Sequence, residues 1–189
     1  MGIARPPLPV KLIIGALTSE PELVSAAVAA LKDGWGRADH TSERLPFEHT
    51  AYYEAEFGRG LERVFVAFRD LVDPGQLAAI KRTTNDLERR FTEGSHRRIN
   101  LDPGYISAAK LVLATTKNHG HRIYIGQGIY AEVTLTYHDK AFRTLPWTYP
   151  DYATDAYREI FESIRKRYLE QLRALDRSGA LDREELTRR

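Results

Sequence analysis

The order of the apolar segments in the first half of the chain constrains the fold more than any other feature. Each segment is short and shows either the continuous apolar character of a buried strand or the periodicity of an amphipathic helix. The segments are strand 10–17, helix 21–33, strand 40–47, strand 63–68, helix 76–91 and strand 97–101. This strand–helix–strand–strand–helix–strand order predicts a ferredoxin-like split βαβ core.

The second half of the chain predicts an extension of this core by a β-hairpin and a long helix. Turn residues, alternating apolar residues and a final helical periodicity mark its segments. They are a turn at 102–104, a short helix over 107–115, a hairpin with its loop at 126–128, a weaker strand over 141–145 and a helix over 151–175. The fold class expected is therefore α+β, with the helices on one face of the sheet.

The ends of the chain differ in composition from its middle. Residues 1–9 form a proline-rich lead-in, and residues 176–189 are strongly charged and expected to fray. Between them, 10–175 contains no linker, repeat or low-complexity tract, so we expect one α+β domain. The N-terminus lacks the apolar region of a signal peptide, and no apolar run reaches the roughly 20 residues that span a bilayer. We expect a cytoplasmic protein without membrane contact.

The composition excludes several kinds of chemistry. The 189-residue chain has no cysteine, which rules out disulfides, cysteine-ligated zinc, iron–sulfur clusters and a thiol nucleophile. Its net charge is only +2, with acidic and basic residues interleaved, which argues against a dedicated nucleic-acid binder. No phosphate-binding loop, dinucleotide fingerprint, zincin motif or nucleophile elbow is present. The cofactor is therefore unknown, and whether the protein is an enzyme stays open.

The hairpin over 122–132 brings polar residues together. A three-residue loop at 126–128 would place Tyr124 opposite Tyr130 and Arg122 opposite Glu132. These four side chains form either a ligand-binding face or an ordinary cross-strand ion pair beside two phenols. Both interpretations fit the pattern.

Two histidines precede the hairpin. His119 and His121 could bind a metal ion with Asp102 or Glu132 as a third ligand. Alternatively, His119 faces solvent while His121 hydrogen bonds inside the core. The second interpretation is the commoner one, so we predict no metal site.

Cationic residues are frequent between 97 and 122. Lys110 and Lys117 lie seven residues apart, which places them on one face if the helix continues. With Arg97 and Arg122 they could form a pocket for phosphate or carboxylate, or they could be solvated surface charges. Asp102 stands at the end of a predicted strand, where it could cap a turn or serve a site.

Two further stretches are rich in aromatic residues. Segment 46–58 contains His49, Tyr52 and Tyr53, and segment 146–152 contains Trp147 and Tyr149. Such side chains favour positions with one buried and one hydrated end. They could pin neighbouring elements together or form the edge of a binding surface.

Four sequence segments resemble those of a known family. They are PVKLIIGALTS, PFEHTAYYEAEFG, RRINLDPGYISAAKLVLATTKNHGHRIYIGQGIYAEVTL and LPWTYPDY. Over roughly residues 8–172 the chain resembles the uncharacterised prokaryotic family "domain of unknown function 4416". Some members are labelled GTP-binding proteins, so the resemblance implies guanine-nucleotide recognition. Thr116-Lys117-Asn118 is weakly similar to a guanine-recognition motif.

We therefore expect a site for a small anionic metabolite or nucleotide, with or without catalysis. The alternative is a non-enzymatic module that holds a protein or RNA partner through its aromatic loops. Oligomeric state cannot be read from the sequence. The acid/base candidates are Asp102, His121 and Glu132. The ligand-binding candidates are Arg97, Asn100, Lys110, Lys117, Arg122, Tyr124 and Tyr130.

Overall fold

The computed structural model describes residues 3–47, 60–94 and 96–178, which contain three α-helices and eleven strands. The helices are α1 (Glu22–Trp35), α2 (Leu77–Arg90) and α3 (Asp155–Arg177). The strands are β1 (Val10–Thr18), β2 (Ala38–Thr41), β3 (Leu45–Pro46), β4 (Glu62–Val72), β5 (Thr92–Glu93), β6 (His96–Arg97), β7 (Asn100–Ile106), β8 (Lys110–Thr115), β9 (Ile123–Gly126), β10 (Ile129–His138) and β11 (Ala141–Thr144).

Strand β1 is an interior strand of the sheet, and all nine of its residues are buried. Apart from Lys11 and Thr18, its side chains are apolar on both faces. It pairs antiparallel with β4 on one side and with β7 on the other. Strand β2 pairs with the outer edge of β4. The order β7–β1–β4–β2, with α1 after β1 and α2 after β4, is that of a ferredoxin-like split βαβ core. The predicted fold is confirmed.

Further strands extend the core beyond β7. Strands β8, β10 and β11 add to that edge in this order, and β9 pairs with β10 as the predicted hairpin. With β3 beside β4, the described sheet has nine strands, all antiparallel. The short strands β5 and β6 pair with each other alone.

Helices cover both faces of the sheet, so the expectation that they share one face is wrong. Helices α1 and α2 pack on the face that contains Leu12 and Val66. Helix α3 packs on the opposite face, where Phe161 and Ile164 meet Phe65. The physical reason is that the central strands are apolar on both sides and therefore need cover on both. None of the described helices is long and apolar enough to cross a membrane.

Two local predictions between 102 and 115 are also wrong. The predicted turn at 102–104 lies inside β7, and the predicted helix over 107–115 is mostly β8. The alanine- and leucine-rich sequence favours a helix locally, but β8 packs Leu111 against one layer and Val112 against the other. Gly104 permits this pairing, since a Cβ there would lie 2.3 Å from the carbonyl oxygen of Val112.

Candidate functional site

Strands β7 and β8 pair along only part of their length. Pairing ends at Gly104 and Leu113, although β7 begins at Asn100 and β8 continues to Thr115. Beyond this point β7 stays paired with β1, and β8 stays paired with β10. The sheet therefore splits, and a cavity of about 410 Å³ lies at the split. Side chains from β4, α2, β6, β7, β8 and β10 line it, together with Tyr149 and Tyr152.

Two side chains of α2 replace the strand hydrogen bonds that are missing at the split. The backbone N–H of Leu101 donates to Glu88 Oε1 at 2.7 Å, and Lys81 Nζ donates to the Leu101 carbonyl oxygen at 2.9 Å. These bonds satisfy backbone groups that would otherwise be buried without a partner. Lys81 and Glu88 therefore hold the split open and form part of the cavity wall.

Asp102 lies at the centre of the polar groups in the cavity. Its Oδ2 accepts hydrogen bonds from Arg63 Nη1 at 3.1 Å and from Asn100 Nδ2 at 2.7 Å. Its Oδ1 is 3.5 Å from Lys81 Nζ. Burial would raise the pKa of Asp102, but Lys81 and Arg63 together lower it below its ordinary value. The carboxylate is therefore ionised at neutral pH.

Arg63 and Tyr152 form the inner wall, and each has only 3% of its surface exposed. Gly15 makes room for both, because a Cβ there would lie 3.2 Å from Arg63 Nη1 and 3.3 Å from the Tyr152 hydroxyl. The Tyr152 hydroxyl and Arg63 Nε have no hydrogen-bond partner among the described residues. Burial raises the pKa of Tyr152 well above its ordinary value, so its hydroxyl keeps its proton. Both atoms are unused donors.

A second ion pair closes the cavity on the α2 side. Arg97 Nη1 donates to Glu88 Oε2 at 2.9 Å and lies 3.4 Å from Asn100 Oδ1. Burial raises the pKa of Glu88, with Lys81 opposing this effect. Glu88 therefore orders Arg97 beside the cavity while it also bonds the backbone of β7.

The predicted pair Arg122–Glu132 exists and is buried rather than half-exposed. The two side chains are 3% and 2% exposed, and Arg122 Nε donates to Glu132 Oε2 at 2.7 Å. The same carboxylate oxygen contacts His121 Nε2 at 3.1 Å, and the Thr134 hydroxyl donates to Oε1 at 3.2 Å. Arg122 also donates to the hydroxyl of Tyr149, so it braces two residues of the cavity wall.

Most of the residues predicted for the site lie at this cavity. Asp102, Glu132, Arg97, Asn100 and Lys117 line it directly. Behind this wall lie two further predicted residues, which contact it through Glu132: Arg122 and His121.

Three predicted residues lie elsewhere. Lys110 pairs with Thr136 at the far end of β8, so the shared helical face with Lys117 is wrong. Tyr124 and Tyr130 pair with each other as predicted but do not line the cavity, and Tyr124 is exposed. Lys110 lies apart from the cavity because residues 110–115 form a strand rather than a helix. The assignment of Lys110, Tyr124 and Tyr130 to a ligand site stays a prediction.

The hairpin loop is shorter than predicted. Gly126 pairs with Ile129, so only Gln127 and Gly128 form the turn, both with positive φ as a type I′ turn requires. An irregularity after Ile129 restores the predicted register, in which Tyr124 faces Tyr130.

The metal alternative gains no support. His119 and His121 stack with ring centroids 6.0 Å apart, and His121 also stacks on Trp147 at 5.2 Å. Within residues 3–47, 60–94 and 96–178, no group of three or more His, Asp or Glu side chains is placed to hold a metal ion. The His121 Nε2 and Glu132 Oε2 atoms instead hydrogen bond with each other at 3.1 Å.

Sequence reasoning missed Arg63, Lys81, Glu88 and Tyr152. A signal was available for the pair on α2, since Lys81 and Glu88 are seven residues apart and follow the inward positions of the helix. A glycine inside the apolar β1 segment also indicated a close approach of other groups. For Tyr152, the sole indication in the sequence is its position in the aromatic segment 146–152.

Of the aromatic stretches, only the second can be compared. His49, Tyr52 and Tyr53 lie outside the described residues. Trp147 and Tyr149 are 38% and 41% exposed, and both hydrogen bond within the protein.

Comparison with known proteins places the chain in a family without assigning it an activity. No curated protein and no solved structure gives a significant match. One family model matches residues 8–168, and its description is "domain of unknown function (DUF4416)". This match confirms the resemblance seen in the sequence. The chain belongs to the DUF4416 family.

Proposed function

We propose that the cavity between β7 and β8 binds a small anionic metabolite. The observation that carries this proposal is the pair of unused, buried donors on its inner wall, the Tyr152 hydroxyl and Arg63 Nε. Buried polar groups nearly always have partners, and a ligand oxygen is a suitable partner for both. A cavity of about 410 Å³ is within the range of small-molecule sites.

The charge of the wall supports an anionic ligand. Cationic side chains outnumber carboxylates in the lining, five to three. Arg63, Lys81 and Arg97 form ion pairs with Asp102 or Glu88 inside the cavity, and Arg89 and Lys117 are exposed at its mouth. Positive charge at the mouth attracts an anionic ligand that enters from solvent.

Of the three acid/base candidates, Asp102 is the best placed to act on a ligand. Its side chain is 28% exposed, and its Oδ1 faces Lys81 Nζ at 3.5 Å with capacity for a further hydrogen bond. Glu132 is almost fully buried and accepts hydrogen bonds through both oxygens. His121 reaches the site only through Glu132. If the site is catalytic, Asp102 is the proton acceptor and Glu132 with His121 supports the wall.

Nucleotides remain within this proposal, since Thr116 and Lys117 both line the cavity. The alternative of a protein or RNA partner has less support. Trp147 donates to the Val133 carbonyl oxygen and the Tyr149 hydroxyl accepts from Arg122, so the polar atoms of both residues are used inside the protein.

The test is thermal melting of the purified protein against phosphorylated metabolites, carboxylates and nucleotides. A ligand at 100 times its dissociation constant adds about 2.7 kcal/mol to the free energy of unfolding. Lys117→Ala should reduce this shift, and Lys110→Ala is the matched control because Lys110 is an exposed lysine at the far end of the same strand. A panel without any shift, or equal losses in both variants, would contradict the proposal.

A further inference from the structure

The cavity has two chemically different ends. Its inner end is formed by Arg63, Tyr152 and Asn100, which are 3%, 3% and 6% exposed. Its mouth is formed by exposed residues at the end of α2 and in the turn after β8, namely Arg89 and Lys117. A ligand that fills the cavity must match both ends at once.

The inner end offers donors and an acceptor side by side. The Tyr152 hydroxyl and Arg63 Nε are donors without a partner among the described residues, and the Oδ1 atom of Asp102, which lies 3.5 Å from Lys81 Nζ, can accept a further hydrogen bond. A phosphate placed here would meet the negative charge of Asp102. A hydroxyl group can instead donate to Asp102 and accept from Tyr152 at the same time, because each hydroxyl is both donor and acceptor.

The mouth offers positive charge. Lys117 lies just beyond β8, and the hydroxyl of Thr115 orders this turn by accepting from the Lys117 backbone N–H at 3.2 Å. Arg89 also lines the cavity and pairs with Asp86, one turn earlier on the exposed side of α2. Exposed pairs of this kind contribute little, so Arg89 can exchange its partner for a phosphate at small cost.

The size of the cavity separates a phosphorylated molecule from phosphate alone. The cavity volume is about 410 Å³, whereas one water molecule occupies about 30 Å³ of liquid water. The cavity is therefore several times larger than a single phosphate group. A phosphate at the mouth would therefore leave the inner donors and Asp102 without contact.

We infer that the ligand is a phosphate ester of a sugar or another polyol, with hydroxyl groups on Asp102 and Tyr152 and the phosphate between Arg89 and Lys117. This inference rests on the proposed function and names the ligand class of the same site. Tyr152 and Asp102 would select ligands that have hydroxyl groups, and Lys117 would contribute affinity for any phosphate ester.

The test compares sugar phosphates with a phosphate that has no hydroxyl groups on its carbon chain. Ribose 5-phosphate, glucose 6-phosphate, glycerol 3-phosphate, inositol 1-phosphate and the ribonucleoside 5′-monophosphates are titrated calorimetrically beside n-butyl phosphate. At least one hydroxylated ligand should bind ten times or more tightly than n-butyl phosphate. Each unphosphorylated parent should bind more weakly than its phosphate.

The decisive variant is Tyr152→Phe. It removes a hydroxyl that has no partner among the described residues and keeps the ring that packs on Phe65 and Phe161. The affinity for the best sugar phosphate should fall roughly five- to tenfold, as expected for one lost neutral hydrogen bond, while n-butyl phosphate binds as before. Lys117→Ala should weaken both ligands by the same factor.

The outcomes separate the two proposals. If n-butyl phosphate binds as tightly as every sugar phosphate, or if Tyr152→Phe leaves the ratio of affinities unchanged, the ligand class is wrong and the anion site remains. If no phosphate or carboxylate binds the wild-type protein, both proposals fail.

Discussion

Two buried ionic clusters lie on the sheet face that α3 covers, at opposite ends of β1. At the start of β1, Lys11 is 0% exposed and donates to Asp39 of β2 at 2.5 Å and to Gln171 of α3 at 2.8 Å. Near the end of β1, Arg63 pairs across the sheet with Leu17 and bonds Asp102. Both place a cation in an apolar layer, and the second lines the cavity between β7 and β8.

The difference shows that a buried charge alone does not identify a functional site. Lys11 joins three elements, β1, β2 and α3, and its ammonium group is enclosed by the protein. Arg63 is buried to a similar degree, and both clusters contain buried atoms without a hydrogen-bond partner among the described residues: Asp39 Oδ1 beside Lys11, and the Tyr152 hydroxyl and Arg63 Nε near the other end of β1. A partly exposed carboxylate in the lining of a cavity, rather than burial, distinguishes the candidate site.

The largest effect on stability should come from breaking the enclosed cluster. Asp39→Ala leaves the ammonium of Lys11 buried without its charged partner, which should lower the free energy of unfolding by about 4 kcal/mol. Denaturant unfolding measures this loss, and ligand affinity should not change. The double variant Lys11→Met with Asp39→Ala is the control and should recover most of the stability. A loss below 1 kcal/mol would show that the pair does not stabilise the fold.

Breaking the cluster at the cavity should affect stability less and binding more. Arg63→Met removes an ion-pair partner of both Asp102 and the buried Asp151. Asp102 keeps Lys81 and Asn100 as partners, and the cavity admits water to it, so we expect a loss of about 3 kcal/mol. Ligand-induced stabilisation should disappear. Arg63→Lys keeps the charge and should retain part of both properties. Full ligand binding by a folded Arg63→Met protein would contradict the role assigned to the inner wall.

The two clusters should also differ in their response to pH. Burial lowers the pKa of Lys11, outweighing Asp39 and Asp70, which raise it, while Arg167 lowers it further. Between this lowered pKa and the ordinary value of 10.5, the unfolded chain binds more protons than the folded one. Stability should therefore rise with pH through this window, and Lys11→Met should flatten the slope. Unfolding curves from pH 8 to 10 test it; an unchanged slope in the variant would contradict it.

The smallest effect on stability is expected at the mouth of the cavity. Lys117→Ala and Lys110→Ala replace exposed side chains at the two ends of β8, and both should stay within about 0.5 kcal/mol of the wild type. Only Lys117→Ala should weaken ligand binding. Comparing melting temperatures with and without ligand separates the two properties, and a large stability loss in either variant would mean that its lysine is structural.

The fold could be predicted from the sequence because local apolar patterns define the elements of its core. The apolar runs of β1 and β4 and the periodicity of α2 define the ferredoxin-like order without long-range information. Strand β8 was not accessible, because its alanines and leucines favour a helix until two layers pack against it.

The candidate site was accessible only in part. Asp102, Glu132 and Arg97 could be predicted because polar residues are concentrated between 97 and 132. Arg63 and Lys81 were hidden because each lies in a regular element, and their importance depends on the split between β7 and β8. No local pattern reports where two strands stop pairing.

The most direct test of the site is a crystal structure of the protein with the tightest ligand of the phosphorylated panel. We predict that the ligand occupies the cavity between β7 and β8, with an oxygen in hydrogen-bonding distance of the Tyr152 hydroxyl. The hydrogen bonds of Lys11 to Asp39 and Gln171 should be unchanged. A ligand bound elsewhere on the protein, with the cavity empty, would contradict the assignment of the site.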